Sequence, residues 1–365
     1  MLIVRTPVRI SFGGGGTDLP VYFERYGGAV LSTAINKYFY TIVGKRTDGH
    51  IQIISSDLRI SETWNDINEM SVRGTALELP LAVLQDLRCE AAVDIFLASE
   101  IPPGTGLGSS ASACVNLLQA MATYLQLPFS RDELAEKAFH IASHVLGKPV
   151  GKQDEYAAAF GGLNFMTFNQ NGTTIIEPLR LETEFVNRFQ QKLMLFFTGA
   201  THHSWAILKQ QETSMKVGKG AAVESLHKIR ELAERMRQAL LEGNLRELGL
   251  LIHESWENKK KISSSISNSS IDKLYQLARD HGAIGGKITG AGGGGFMLLY
   301  CDEENQPGVR DVLTAEGIRE MRFAFDFNGT RVLVNDPFIE DQNCASQWNL
   351  VGAVQQIRLK QNSPG

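Results

Sequence analysis

The chain has 365 residues, 43% of them hydrophobic and 21% charged, with a formal net charge of −4. That balance describes a globular protein with a sizeable core; it excludes a disordered chain and argues against a nucleic-acid coat. No stretch reaches the roughly 18–20 apolar residues of a spanning helix, and Cys89, Cys114, Cys301 and Cys344 include no C-x-x-C pair. The expectation is a reduced, cytoplasmic protein with no membrane or nucleic-acid partner.

"MLIVRTPVRISF" is interrupted by Arg5 and Arg9, too soon for a signal-peptide core, and reads as a first strand. Residues 37–46, 50–55 and 92–99 are rich in β-branched and aromatic side chains and predict further strands. Residues 111–126 predict a helix, with Pro128 beyond it. Ser130 then caps the next helix, Glu133 completes a capping box, and Gly147 stops it. The run 187–199 ends in a buried-strand pattern and is expected to open a second domain. Helical text fills 204–261, where Val223, Leu226, Ile229, Leu232, Met236 and Leu240 recur at spacings of three and four until Gly243. A serine-rich connector (263–270), a helix from Ile271, "GGKITGAGGGGFMLLYC" and the strand candidates "MRFAFDF" and "TRVLV" complete the body. Mixed strands and helices in both halves predict an α+β fold of two domains, 1–186 and 187–334, with a tail at 335–365 that has no sustained periodicity.

Three segments concentrate glycine: 11–20, 102–112 and 285–296. Glycine permits positive φ and lets backbone approach a ligand. The middle segment, "PPGTGLGSSAS", follows a strand and precedes a strong helix, so its amides lie at a helix N-terminus suited to an anion. Ser109, Ser110 and Ser112 add hydroxyls. The loop lacks the lysine of G-x-x-x-x-G-K-[ST], and Ser109 stands at the third-glycine position of a dinucleotide fingerprint, which disfavours a nicotinamide dehydrogenase.

Other candidates stand outside the loops. Asp154, in "GKQDEYAAAFGG", reads equally as a catalytic base or as a capping carboxylate on the helix after it. Arg9 is by itself compatible with a surface ion pair. His140 and His144 share a helix face, but no H-E-x-x-H or third ligand accompanies them, so packing is favoured over zinc. Lys148, Lys152, Lys259, Lys260 and Lys261 each read as solvated charges, while together they leave a phosphosugar open.

"PPGTGLGSSAS" resembles the ATP-binding motif of the GHMP kinases, and the other two glycine segments fall where that superfamily places its first and third motifs. The resemblance covers roughly residues 1–334. "RTPVRISFGGGGTDLP", "GKPVGKQDEYAAAFGGLNF", "HESWENKKKISSSISNSSIDKLY" and "GGKITGAGGGGFMLLY" are similar to the heptose 7-phosphate kinase branch of sugar 1-kinases. It implies a ribosomal-S5-like N-terminal domain, a ferredoxin-like C-terminal domain and an active site between them. ATP would lie on Pro103, Gly104, Thr105, Gly106, Leu107, Gly108, Ser109 and Ser110, with Mg2+ on Ser110. Asp154 becomes the base for an anomeric hydroxyl, and Arg9 the cation beside the transferred phosphoryl. Gly16, Thr17 and Asp18, with Gly290, Gly292 and Gly293, would meet the sugar.

The sequence also departs from the pattern. Gly15 and Gly16 replace the Glu-His pair of galactokinase, which opens the sugar pocket. Ala142 stands twelve residues before Asp154, where many members carry a magnesium-binding glutamate, and Glu155 replaces the usual glutamine and is a candidate source of compensating charge. His202 occupies the arginine place of a TG-x-x-R segment. The implied activity is ATP-dependent phosphorylation of a heptose 7-phosphate or related sugar at C1. Fucokinase-like activity and a non-catalytic nucleotide-binding homologue are the alternatives, and a homodimer stays open.

Overall fold

The computed structural model describes residues 1–199, 204–216 and 220–336. An eight-stranded sheet contains β1 (Leu2–Gly13), β2 (Gly28–Lys45), β3 (Ile51–Ser55), β4 (Ile60–Trp64), β5 (Val93–Ser99), β6 (Leu163–Phe168), β7 (Thr174–Pro178) and β12 (Arg331–Asn335). Its order is β12-β1-β2-β5-β3-β4, with β6 and β7 branching from β2. A four-stranded antiparallel sheet, ordered β11-β8-β10-β9, is formed by β8 (Leu193–Phe197), β9 (Ala283–Ile288), β10 (Phe296–Cys301) and β11 (Arg319–Glu320). The helices of the first half are α1 (Pro20–Tyr26), α2 (Glu78–Asp86), α3 (Ser109–Tyr124), α4 (Arg131–His140), α5 (Gln153–Phe160) and α6 (Thr183–Gln191). Those of the second are α7 (Ser204–Lys216), α8 (Gly220–Leu241), α9 (Leu245–Lys260), α10 (Ser269–Asp280) and α11 (Gln306–Ala315).

One proline shapes the central strands. Pro7 has no N–H for the ladder, and the β1–β2 register shifts between Pro7 and Val8. Beyond that bulge β2 changes partner, pairing through Gly28–Thr33 with β6 and from Phe39 onward with β5. On β1 the free edge past the bulge receives the glycine-serine loop, where the Arg9 amide donates to the Leu107 carbonyl at 3.0 Å.

Two cores hold this frame. Helices α2 to α5 cover the first sheet through residues such as Leu81, Leu118, Met121, Leu134 and Tyr156. A second core joins the halves, with Val8, Ile10, Phe12 and Leu31 packed among Leu195, Leu298, Leu232 and Met236. Helix α9 turns Leu248, Leu251, Ile252, Ser255, Trp256 and Lys259 inward, a stripe at spacings of three and one whose last member is a lysine.

The capping box at Ser130 forms with both of its hydrogen bonds. Helix α4 then passes into a π-helical turn over 141–145, and α3 starts two residues earlier than expected, which puts Ser109 and Ser110 in its first turn. "MRFAFDF" is not a strand. Met321 donates to Leu195 of one sheet while Asp326 donates to Ala34 of the other, so its amides are divided between two sheets and build no ladder. "TRVLV" is a strand, but it lies outside the second half where it was expected: β12 pairs with β1 from Leu2↔Asn335 to Arg5↔Arg331. His202, Cys344 and the tail beyond Asp336 lie outside the described residues.

Trp256 is fully buried where α9 meets the second sheet's core. Trp256→Ala should cost about 3–5 kcal/mol in urea unfolding, as for other large buried aromatic deletions; a loss below about 1 kcal/mol would show that this side chain does not pin the helix.

Candidate active site

Arg9 organises the site. Its Nε and Nη2 donate to the two Asp154 oxygens at 2.7 and 2.6 Å, and Nη1 donates to the Gly106 carbonyl at 2.7 Å. The guanidinium is 4% exposed and the Asp154 side chain 26%, so the carboxylate faces the opening and the cation sits behind it. A planar fork matched to a carboxylate fixes both distance and orientation. The Asp154 oxygens therefore serve Arg9 and not a helix cap.

Gly108 brings the loop against this pair. It holds a left-handed φ of 76° as the residue before α3, and a Cβ there would stand 3.2 Å from Asp154 Oδ2 and 3.4 Å from Arg9 Cζ. No side chain caps α3, which leaves its first-turn amides to an incoming anion. Ser110 is exposed at that turn and Ser109 partly so. Ser112 has another task, since its hydroxyl donates to the Pro7 carbonyl at 2.8 Å within the core. Thr105 and Leu107 are likewise buried, while Pro103 and Gly104 lie nearer the surface.

The third glycine segment closes on this loop from the other half. Gly290 packs directly on Gly106, and the Phe296 amide donates to the Thr105 carbonyl at 3.2 Å. Gly292 packs on Ile266, whose carbonyl accepts from the Gly293 amide at 2.7 Å. These three residues thus join chain segments around the loop.

The first glycine segment is braced from beneath. Thr17 is buried, and its hydroxyl donates to the Gly14 carbonyl at 2.8 Å, so it holds the turn and offers nothing outward. Asp18 Oδ1 accepts from the Gly16 amide at 2.8 Å, and Oδ2 accepts from Gln153 Nε2 at 3.1 Å. Burial pushes the Asp18 carboxyl up, and the nearby Asp154 charge adds to it.

Several residues that sequence reasoning left aside converge here. Ser11 Oγ, Gln153 Oε1 and Gln211 Nε2 are buried without a hydrogen-bond partner. A Cβ on Gly15 would lie 3.4 Å from Gln153 Nε2 and 3.6 Å from Ser11 Oγ, and one on Gly16 would lie 3.9 Å from Gln211 Oε1. Buried polar atoms left unpaired are costly, and a ligand rich in hydroxyls would satisfy them. Lys259 and Lys287 are buried too. Burial pulls the Lys259 ammonium down to about 8, with the Arg9 charge acting the same way. Lys287 is pulled well down by burial and then by Lys259, and its Nζ lies 3.4 Å from the Phe12 carbonyl. The inward stripe of α9 was the available signal for Lys259. The remaining lysines of that run behave as read: Lys260 pairs with Glu257 and Lys261 with Asn258. Lys148 pairs with Glu78, whereas Lys152 is buried and donates to Glu136 at 2.6 Å.

The donor set for a cation is sparse. Ala142 sits in the π-helical turn with no ligating atom. Glu155, next to Asp154, is buried, its Oε2 is unpartnered, and burial followed by the Asp154 charge pushes its carboxyl well up. His140 and His144 stack with ring centroids 5.0 Å apart. Among the described residues, no three His, Cys, Asp or Glu side chains group to hold a metal.

Known proteins share this architecture. Residues 75–162 match the GHMP kinases N terminal domain, and residues 236–319 match the GHMP kinases C terminal model. The chain is 32% identical to a D-glycero-alpha-D-manno-heptose 7-phosphate kinase of Campylobacter jejuni, over 90% of this chain and 97% of that one. The solved D-glycero-D-manno-heptose 1-phosphate kinase from Bacteriodes thetaiotaomicron superposes with a TM-score of 0.78 at 29% identity, covering 92% of this chain and 100% of the other. An L-fucokinase/L-fucose-1-P guanylyltransferase of Bacteroides fragilis is 26% identical over 85% of this chain and 36% of its own length. With a stretch of each half matched, and with that identity across nearly the whole of a relative, the chain belongs to the GHMP kinase family of ATP-dependent kinases.

Proposed function

We propose that the protein is a sugar 1-kinase that transfers the terminal phosphoryl of ATP to the anomeric hydroxyl of D-glycero-D-manno-heptose 7-phosphate or a closely related sugar, for nucleotide-activated sugar biosynthesis. The observation that carries this reading is the Arg9–Asp154 pair set against Gly108 at the open end of α3. The relative named for heptose 7-phosphate supports the substrate.

In this reading the amides of α3 and the loop hold the nucleotide phosphates. The sugar lies over Gly15 and Gly16, where Ser11, Gln153 and Gln211 meet its hydroxyls. Asp154 accepts the proton of the anomeric hydroxyl as that oxygen bonds to phosphorus. The bond to the ADP oxygen breaks, and its electron pair leaves with ADP. The positive charge of Arg9, held beside Asp154, stabilises the charge on the equatorial oxygens while the attacking and leaving oxygens lie in line. A bound magnesium would neutralise phosphate charge, and the exposed Ser110 hydroxyl is the protein group that would hold it, with the nucleotide supplying further oxygens.

A coupled ADP-release assay over heptose 7-phosphate, free heptose, L-fucose and galactose should give its highest kcat/KM with heptose 7-phosphate. Preference for L-fucose would select the fucokinase reading, and ATP binding without sugar-dependent ADP from any sugar would select a non-catalytic homologue. Asp154→Asn should lower kcat by about 10²–10⁴, the usual weight of a positioned base, and leave the nucleotide Kd within about threefold. Unchanged turnover in that variant would remove Asp154 from the role of base.

A further inference from the structure

The loop at 102–108 has no lysine to meet a phosphate, and all three donating nitrogens of Arg9 that the structure pairs are turned to Asp154 or Gly106. A second cation reaches the same place from the other half of the molecule. Lys259 closes the inward stripe of α9, is 6% exposed, and donates from Nζ to the Gly290 carbonyl. Gly290 in turn packs on Gly106, where a Cβ would come within 2.6 Å of the Gly106 Cα. The Gly106 carbonyl is the one that holds Arg9 Nη1. The ammonium and the guanidinium are therefore each bonded to one of a pair of apposed glycines, and the charges that act on Lys259 are those of Arg9, Asp18 and Asp154.

Lys259 has no carboxylate partner within ion-pairing distance among the described residues, whereas Lys260 next to it pairs with Glu257 and Asp272. A buried ammonium without a counterion opposes folding. Such a group persists where an anion completes it, and phosphate is the anion that this loop is shaped to receive.

We propose that Lys259 contacts the transferring phosphoryl group alongside Arg9, in the part played by the loop's own lysine in G-x-x-x-x-G-K-[ST] sites. The proposal rests on phosphoryl transfer at the Arg9–Asp154 pair but not on which sugar accepts it. Lys287 is buried as well, with its Nζ on the Phe12 carbonyl, and its charge and that of Lys259 oppose each other.

The test is Lys259→Met beside Lys259→Arg, with binding of ADP measured calorimetrically in magnesium buffer, alone and with beryllium fluoride as a mimic of the terminal phosphoryl. Wild type should bind the fluoride complex more tightly than ADP alone. Lys259→Met should hold ADP within about threefold of wild type yet lose at least about tenfold of that gain, and Lys259→Arg should restore part of it. Removing an unpaired buried charge should leave Tm unchanged or raised. No fluoride gain in wild type, or an undiminished gain in Lys259→Met, overturns the proposal. So does a variant that loses Tm and ADP affinity together, which marks a structural lysine. A variant that binds the fluoride complex normally but loses affinity for heptose 7-phosphate overturns it as well, by assigning Lys259 to the sugar's own phosphate. Because the nucleotide arm contains no sugar, failure of every sugar in the kinase assay would sink the substrate reading alone.

Discussion

The bidentate contact between Arg9 and Asp154 is the constraint around which the other parts are placed. Arg9 reaches Asp154 at the start of α5, the Gly106 carbonyl through Nη1, and the Leu107 carbonyl through its own amide. One residue thereby ties a central strand, the glycine-serine loop and the candidate base together. The short β12 makes this attachment available, because its pairing with β1 ends at Arg5 and leaves that edge of β1 open at Arg9. Gly108 is required at the junction, since any side chain would press on the pair it adjoins. Catalysis by positioning needs this kind of arrangement, in which the reacting groups are held before the substrate arrives.

The second half of the chain completes the site as well as supporting it. Its third glycine segment packs on the first half's loop, and the shared core of Ile10, Phe12, Leu195 and Leu298 keeps the two halves in register. The interior beside that junction is polar to a degree that folding alone would not favour. Ser11, Gln153 and Gln211 carry unpaired atoms, and Asp18, Glu155, Lys259 and Lys287 are buried ionisable groups. Stability given up at one place is what a preorganised polyol and phosphate site requires.

Local features were legible in the sequence. The capping box at Ser130 and the helix after "PPGTGLGSSAS" depend on neighbours within a turn, so residue type and spacing were sufficient. Features set by distant partners were not. "TRVLV" has ordinary strand composition, and only the free edge of β1 decides which sheet it joins. Ser112 and Thr17 carry hydroxyls like those of a binding loop, yet both are spent on backbone carbonyls that the sequence does not mark as neighbours. Lys259 sits in a lysine run that reads as solvated; its place on the apolar stripe of α9 separates it from Lys260 and Lys261. Glu155 adjoins Asp154 in sequence, but helix geometry turns it into the core.

The most direct measurement is phosphorus NMR of the product made from ATP and D-glycero-D-manno-heptose 7-phosphate by the wild-type protein and by Arg9→Ala. The account predicts a new resonance of a phosphate on C1, with the C7 phosphate retained, that forms with wild type and is strongly reduced when Arg9 is removed. A phosphate placed on any other carbon, or C1 product formed at the wild-type rate by Arg9→Ala, would contradict it.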